Sequence, residues 1–195
     1  MNSEGDPALV LRSVAELLES ASVAEARRLL EEQYPFEKPK NPGRSYTPKQ
    51  MTGIFCRDGF VDRFSGRRLV FPPVMRLITE FLPEHFPAHK NWKMSETHQA
   101  YYDLFPTIDH LEPVARGGAD EPSNWYTTSM ARNAAKGNFR LDDLGWTLHE
   151  PGQMAEWDGL TGWFLRHLDQ HPDGHSAYIK TWERALRTVL SGPDR

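Results

Sequence analysis

Asp109 and His110 stand side by side in the run Phe105 to Leu111, and Asn133 and Lys136 stand three apart further along the chain. A carboxylate and an amide oxygen make a hard, sparse ligand set, which suits Mg²⁺ or Mn²⁺ with several waters better than a closed zinc site. Histidine, with an ordinary pKa near ~6.5, is the natural general base for water at neutral pH. Together with the ammonium of Lys136 these are the parts needed to hydrolyse a phosphodiester.

Local sequence predicts the elements that must position them. Phe105 to Leu111 is rich in strand-formers, and Pro113 must end the strand because proline cannot donate to a ladder. A turn follows at Gly117-Gly118, and Asn124 to Thr128 (NWYTT) is a second run of strand-formers. Ser129 is placed to cap a helix carrying Met130 to Lys136, with Gly137 as its stop. On that helix Asn133 and Lys136 share a face, so Asp109 and His110 at the strand end are expected to meet Asn133 across a small ββα unit. Adjacent strand residues point to opposite sides, which lets one of the pair bind a metal while the other faces solvent or substrate.

This segment resembles the HNH (ββα-metal) endonuclease motif, in which a strand ending in Asp-His is followed by a Gly-Gly loop, an Asn about fourteen residues on, and a helical Asn or His about nine further. Here His110 to Asn124 is fourteen and Asn124 to Asn133 is nine. The resemblance implies that His110 is the general base and that Asp109 and Asn133 are metal ligands. It implies that Asn124 braces the loop and orients the histidine, and that Lys136 sits near a phosphate. The implied cofactor is a divalent metal, Mg²⁺ or Mn²⁺, and the implied partner is DNA. Many members carry two CxxC pairs that bind a structural zinc, whereas this chain has one cysteine, Cys56. The stretch Asp62-Arg63-Phe64-Ser65-Gly66 resembles that knuckle turn with both thiols replaced, so no structural zinc is expected. Singly, each of these residues has an ordinary reading: an Asp-His pair as a surface pair, Asn124 as a turn residue, Asn133 as a solvated helix position. Their joint spacing favours the HNH reading.

The expected fold class is α+β: a small ββα-metal core with a short β-hairpin, embedded in flanking α-helices. The hairpin is expected over Phe60 to Phe71, turning at Ser65-Gly66. Arg63, Arg67 and Arg68 there, together with Arg116 and Arg132, are the candidate nucleic-acid contacts, against a reading as solvated residues in weak local ion pairs.

Around the core, residues 1–34 read as a helical hairpin. Asp6-Pro7 supplies the first cap, Leu9, Val10, Val14, Leu17 and Leu18 a stripe, and Ser22 to Glu25 a capping box for the second helix. Residues 35–46 hold three prolines, a glycine, Lys38, Lys40 and Arg44, and read as a basic linker or strap. The nuclease core is expected over 47–150. It opens with a helix capped at Thr47-Pro48, has an amphipathic helix from Pro73 to Phe81 with Phe81 on its core side, and has a helix from Ser95 through Leu104. A C-terminal helical pair, around Leu160 to Leu168 and Ser176 to Val189, is expected over 151–195.

At 195 residues the chain can bury a real core. A single cysteine excludes a disulfide framework and fits a reducing cytoplasm. Neither a signal peptide nor an uninterrupted apolar stretch of membrane-spanning length is recognisable, so no membrane partner is expected. The formal net charge of -4 is unusual for a protein that holds DNA unaided, because phosphate neutralisation supplies most non-specific affinity. A local basic face, an oligomer or a protein partner docked on the terminal helices would resolve the difference. Two other classes fit the same residues: a catalytically silent nucleic-acid- or partner-binding module, and an effector subunit, of restriction, anti-phage defence or a mobile element, active only with its partner.

Overall fold

The computed structural model describes residues 6–36 and 45–192. The chain forms two compact units, Met1–Ser45 and Tyr46–Arg195. Lys38, Lys40 and Arg44 of the expected strap lie outside the described residues.

In the first unit, α1 (Pro7–Glu19) and α2 (Val23–Gln33) form a hairpin. Asp6 caps α1 as expected, its carboxylate accepting from the Ala8 amide at 2.9 Å. Ser22 occupies the cap position of α2 without a side-chain cap hydrogen bond, so the expected capping box does not form. Its oxygen instead accepts from the Ser20 hydroxyl. Val10, Val14 and Ala26 are buried, whereas Leu9, Leu11, Leu18 and Val23 are about half exposed. Two helices can enclose only a narrow seam, which leaves the outer part of the stripe in solvent.

The second unit is α+β. Its described residues contain α3 (Pro48–Arg57), α4 (Pro72–Phe81), α5 (Ala100–Asp103), β1 (Pro106–His110), β2 (Trp125–Ser129), α6 (Met130–Lys136), α7 (Thr161–Gln170) and α8 (Ala177–Leu190). Pro48 at the first turn and the reciprocal Thr47–Gln50 capping box start α3 where the sequence requires. Strands β1 and β2 form an antiparallel ribbon in which Asp109 is opposite Tyr126 and His110 opposite Trp125. The core joins Phe55, Phe60, Phe71, Val74, Leu77, Ile108, Trp125, Phe164, Ile179, Trp182 and Leu186, drawing on α3, α4, α7, α8 and the ribbon. Edge-on ring contacts of Phe71 with Phe60, Phe164 and Trp182, at 5.4–5.8 Å, form its centre.

Three local expectations are corrected. The Phe60 to Phe71 hairpin reduces to one bridge, Val61 to Arg68, because the Asp62 to Gly66 turn consumes the pairing positions. Phe81 is 63% exposed at the end of α4, where the helix has run past the core. Ser95 lies in a 3-10 turn, and the helix before β1 begins only at Ala100.

Where α7 turns into α8, the His167 ring stacks on Trp163 and lies within 6 Å of the rings of His171 and His175. Burial, then the charges of His171 and His175, hold the His167 imidazole below its ordinary range. The unfolded chain therefore binds a proton here more readily than the native one, so stability present above the unfolded value, about 6.5, is lost as the pH falls below it. Urea midpoints measured at about pH 8 and about pH 5.5 should differ more for the parent than for His167→Gln. Equal differences would show that His167 contributes nothing to the dependence.

Candidate functional site

The β1–β2 connection is long, and three devices fix its path. Asn124 is one: its Oδ1 accepts the Glu112 amide at 2.9 Å, while its Nδ2 donates to the carbonyls of Glu112 and Ala119 at 2.9 and 2.8 Å. Gly118 is another, since a Cβ there would stand 2.0 Å from the Glu112 carbonyl oxygen, and Gly117 adopts φ +92°, which favours glycine. Arg116 is tied to Asp143 at 2.7 Å. Asn124 thus braces the loop as expected, but the hydrogen bonds described for its side chain reach backbone and not the histidine.

His110 is buried at the end of β1, and its Nε2 lies 2.8 Å from Asp120 Oδ1. The indole Nε1–H of Trp125, its cross-strand neighbour, donates to the same oxygen at 2.8 Å, and the Tyr46 hydroxyl reaches it at 3.5 Å. Sequence reading missed Asp120. It lies ten residues beyond His110 in an acidic, glycine-rich loop, and only the path of that loop brings it back.

Asp109 faces the helix. Its Oδ1 accepts the backbone amide of His110 at 2.8 Å. Its Oδ2 is buried and lies 3.1 Å from Lys136 Nζ, an ion-pair contact without hydrogen-bond alignment, so that oxygen accepts no hydrogen bond. Asn133, one turn before Lys136 on α6, donates from Nδ2 to the Ile108 carbonyl at 3.3 Å. The fold therefore brings Asp109 and Asn133 to adjoining positions of β1 and α6.

Lys136 sits differently from the expectation of a phosphate contact. It is fully buried, with its ammonium donating to the His110 carbonyl at 2.8 Å and lying 5.5 Å from the Phe64 ring centre. Sharing a face with Asn133 turns it into the ribbon and away from solvent.

Beneath the ribbon lies a second set of charges. Asp58 and Asp62 are wholly buried. Asp58 accepts from Arg57, from Arg63 at 3.0 Å and from the Thr127 amide at 2.8 Å. Asp62 accepts the amides of Phe64 and Ser129 and the hydroxyl of Thr128, at 2.9–3.1 Å. The turn that resembles a thiol-less knuckle is thus closed by a carboxylate, which also fixes the junction between β2 and α6. Asp62→Asn should cost about 1–3 kcal/mol, because an amide NH₂ would face donors it cannot accept from. Denaturant unfolding measures this, and a loss well below about 1 kcal/mol would contradict the role.

The arginines divide. Arg63 is 8% exposed and committed to Asp58 and to the His149 carbonyl, so the expected outward contact is corrected: the buried Asp58 carboxylate and a backbone carbonyl hold it inward. Arg67 and Arg68 are exposed, Arg68 lying over the Trp157 ring at 5.6 Å. Arg132 stacks 4.2 Å over Trp146, and with Arg67, Ser65 and Ser129 it lines a cleft of about 190 Å³. Arg116 keeps a partly exposed guanidinium beside Asp143. Among the described residues no group of three or more His, Cys, Asp or Glu side chains is arranged to hold a metal ion, so the candidate donor set is one carboxylate and one amide. No helix among the described residues is long and apolar enough to cross a membrane. Compared with family models, with curated proteins and with solved structures, the chain matches none of them.

Proposed function

We propose that this chain is a metal-dependent endonuclease of the HNH type that hydrolyses DNA phosphodiester bonds. The observation that carries the reading is the strand, loop, strand and helix that bring Asp109 and His110 at the end of β1 to Asn133 on α6, with Asn133 hydrogen-bonded to the β1 backbone.

Donor chemistry at Asp109 and Asn133 suits a hard divalent cation: Asp109 Oδ2 is buried without a hydrogen bond, and the second donor is an amide oxygen. Mg²⁺ or Mn²⁺ held there would supply positive charge for the leaving 3'-oxygen. His110 takes a proton from water as the water oxygen attacks phosphorus in line, so a P–O bond forms to water while the bond to the 3'-oxygen breaks. The 3'-oxygen leaves with a proton drawn from solvent, giving 5'-phosphate and 3'-hydroxyl ends. Lys136 acts from below, clamping the His110 carbonyl and the Asp109 carboxylate so that the strand end keeps its shape. Arg67, Arg68, Arg116 and Arg132 are the arginines of the expected set left to meet phosphates.

Incubating the purified chain with a duplex oligonucleotide and Mg²⁺ or Mn²⁺ should produce nicks that a DNA ligase reseals, and EDTA should abolish them. Cleavage unaffected by EDTA, or ends that cannot be religated, would contradict the proposal.

One observation favours the effector reading within the same chemistry. The α1–α2 hairpin leaves Leu9, Leu11, Leu18 and Val23 exposed, and the chain is acidic, so a partner or second copy on the hairpin would both cover those side chains and bring the nuclease to DNA. Cleavage that appears only with a partner, accompanied by a change in oligomeric state, would establish that form.

A further inference from the structure

We propose that Asp120 is the positioning residue of the general base, holding the His110 imidazole in the tautomer that carries its proton on Nε2. Three features of the site converge. His110 is 2% exposed, so its ring orientation is set by protein contacts. Its Nε2 lies 2.8 Å from Asp120 Oδ1. That same oxygen accepts the Trp125 indole N–H at 2.8 Å and stands 3.5 Å from the Tyr46 hydroxyl, so the carboxylate is itself held from two sides.

The chemistry follows from what a carboxylate can do. An ionised carboxylate only accepts hydrogen bonds, so the ring nitrogen facing it must be the donor. A neutral imidazole with its proton on Nε2 carries its lone pair on Nδ1, which makes Nδ1 the atom that receives a proton from water. When it does, the imidazolium formed lies against a negative charge, the arrangement that orients and stabilises the base in hydrolytic triads. The family resemblance gave the orienting task to Asn124, whose described hydrogen bonds are instead spent on the loop carbonyls and on the Glu112 amide.

The catalytic part of this assignment rests on the nuclease reading; the tautomer does not. Long-range proton–nitrogen NMR of the full chain, labelled with ¹⁵N at histidine and held at about pH 8, above the ordinary imidazole range, reads the tautomer directly. The parent should show His110 with a protonated Nε2 and an unprotonated Nδ1. Asp120→Ala should turn it into a mixture of both forms, whereas Trp125→Phe, which removes one donor to Asp120 and keeps the ring, should leave the Nε2–H form in place. With a cleavable DNA substrate, Asp120→Ala should lower kcat by about 10- to 100-fold with KM near the parent value. A parent with Nδ1 protonated, or an Asp120→Ala variant with the parent tautomer, overturns the assignment. Should the parent cut nothing, the reading as a self-sufficient nuclease fails and the nitrogen shifts alone decide the role of Asp120.

Discussion

Lys136→Met should lower the stability of the second unit by about 3–5 kcal/mol, the usual cost of removing one partner from a buried pair and leaving the other charged. The side chain is fully buried, and its ammonium donates to the His110 carbonyl at 2.8 Å and is ion-paired with the Asp109 carboxylate at 3.1 Å. Methionine fills a similar volume, so the loss is one of charge and donors, with little cavity left behind. At about 2–4 °C per kcal/mol for a chain of this size, the unfolding midpoint should fall by roughly 6 to 20 °C. The double variant Asp109→Asn/Lys136→Met should recover part of that, because an amide is less costly to bury than an unpaired carboxylate. A fall of only a degree or two in the single variant would mean that Lys136 is held by packing alone. The prediction also separates two roles for this lysine: a phosphate contact would weaken cleavage and spare stability.

Much of the architecture is legible in the sequence because it is written in local chemistry. Thr47-Pro48 with Gln50, Ser129 before Met130 and Ser176 before Ala177 each satisfy the first amides of a helix, and the structure starts helices there. Strand-formers on either side of Gly117-Gly118 give the two-stranded ribbon. What local reading misjudges is the fate of charge. Arg63 and Lys136 look like cations that would face a phosphate, yet a buried carboxylate and backbone carbonyls draw them inward. Asp58 and Asp62 look like members of weak local Asp–Arg pairs in a solvated hairpin, whereas their packing beneath β2 depends on partners more than sixty residues away. The aromatic residues between and beyond them, Phe60 and Phe64, were the available hint that the turn goes inside. At Ser22 and Ser95 the cap residues are present without the geometry, since a tight interhelical turn and a 3-10 segment take the backbone elsewhere. Asp120 illustrates the general limit: a hydrogen bond made by the path of a loop leaves no periodic trace in the sequence.

The largest effect on activity should come from His110, the one group here suited to take a proton from water at neutral pH. His110→Ala removes the base but leaves Asp109 with the His110-position amide and Lys136, so the candidate metal donors keep their places. Burial of the ring implies some loss of stability, which a denaturation curve for the variant accounts for separately. The direct measurement is nicking of supercoiled plasmid by the parent and by folded His110→Ala, each with Mn²⁺ and with EDTA. The account predicts metal-dependent nicking by the parent and a rate lower by about 10²- to 10⁴-fold in the variant. A folded His110→Ala that nicks plasmid at the parent rate would contradict it.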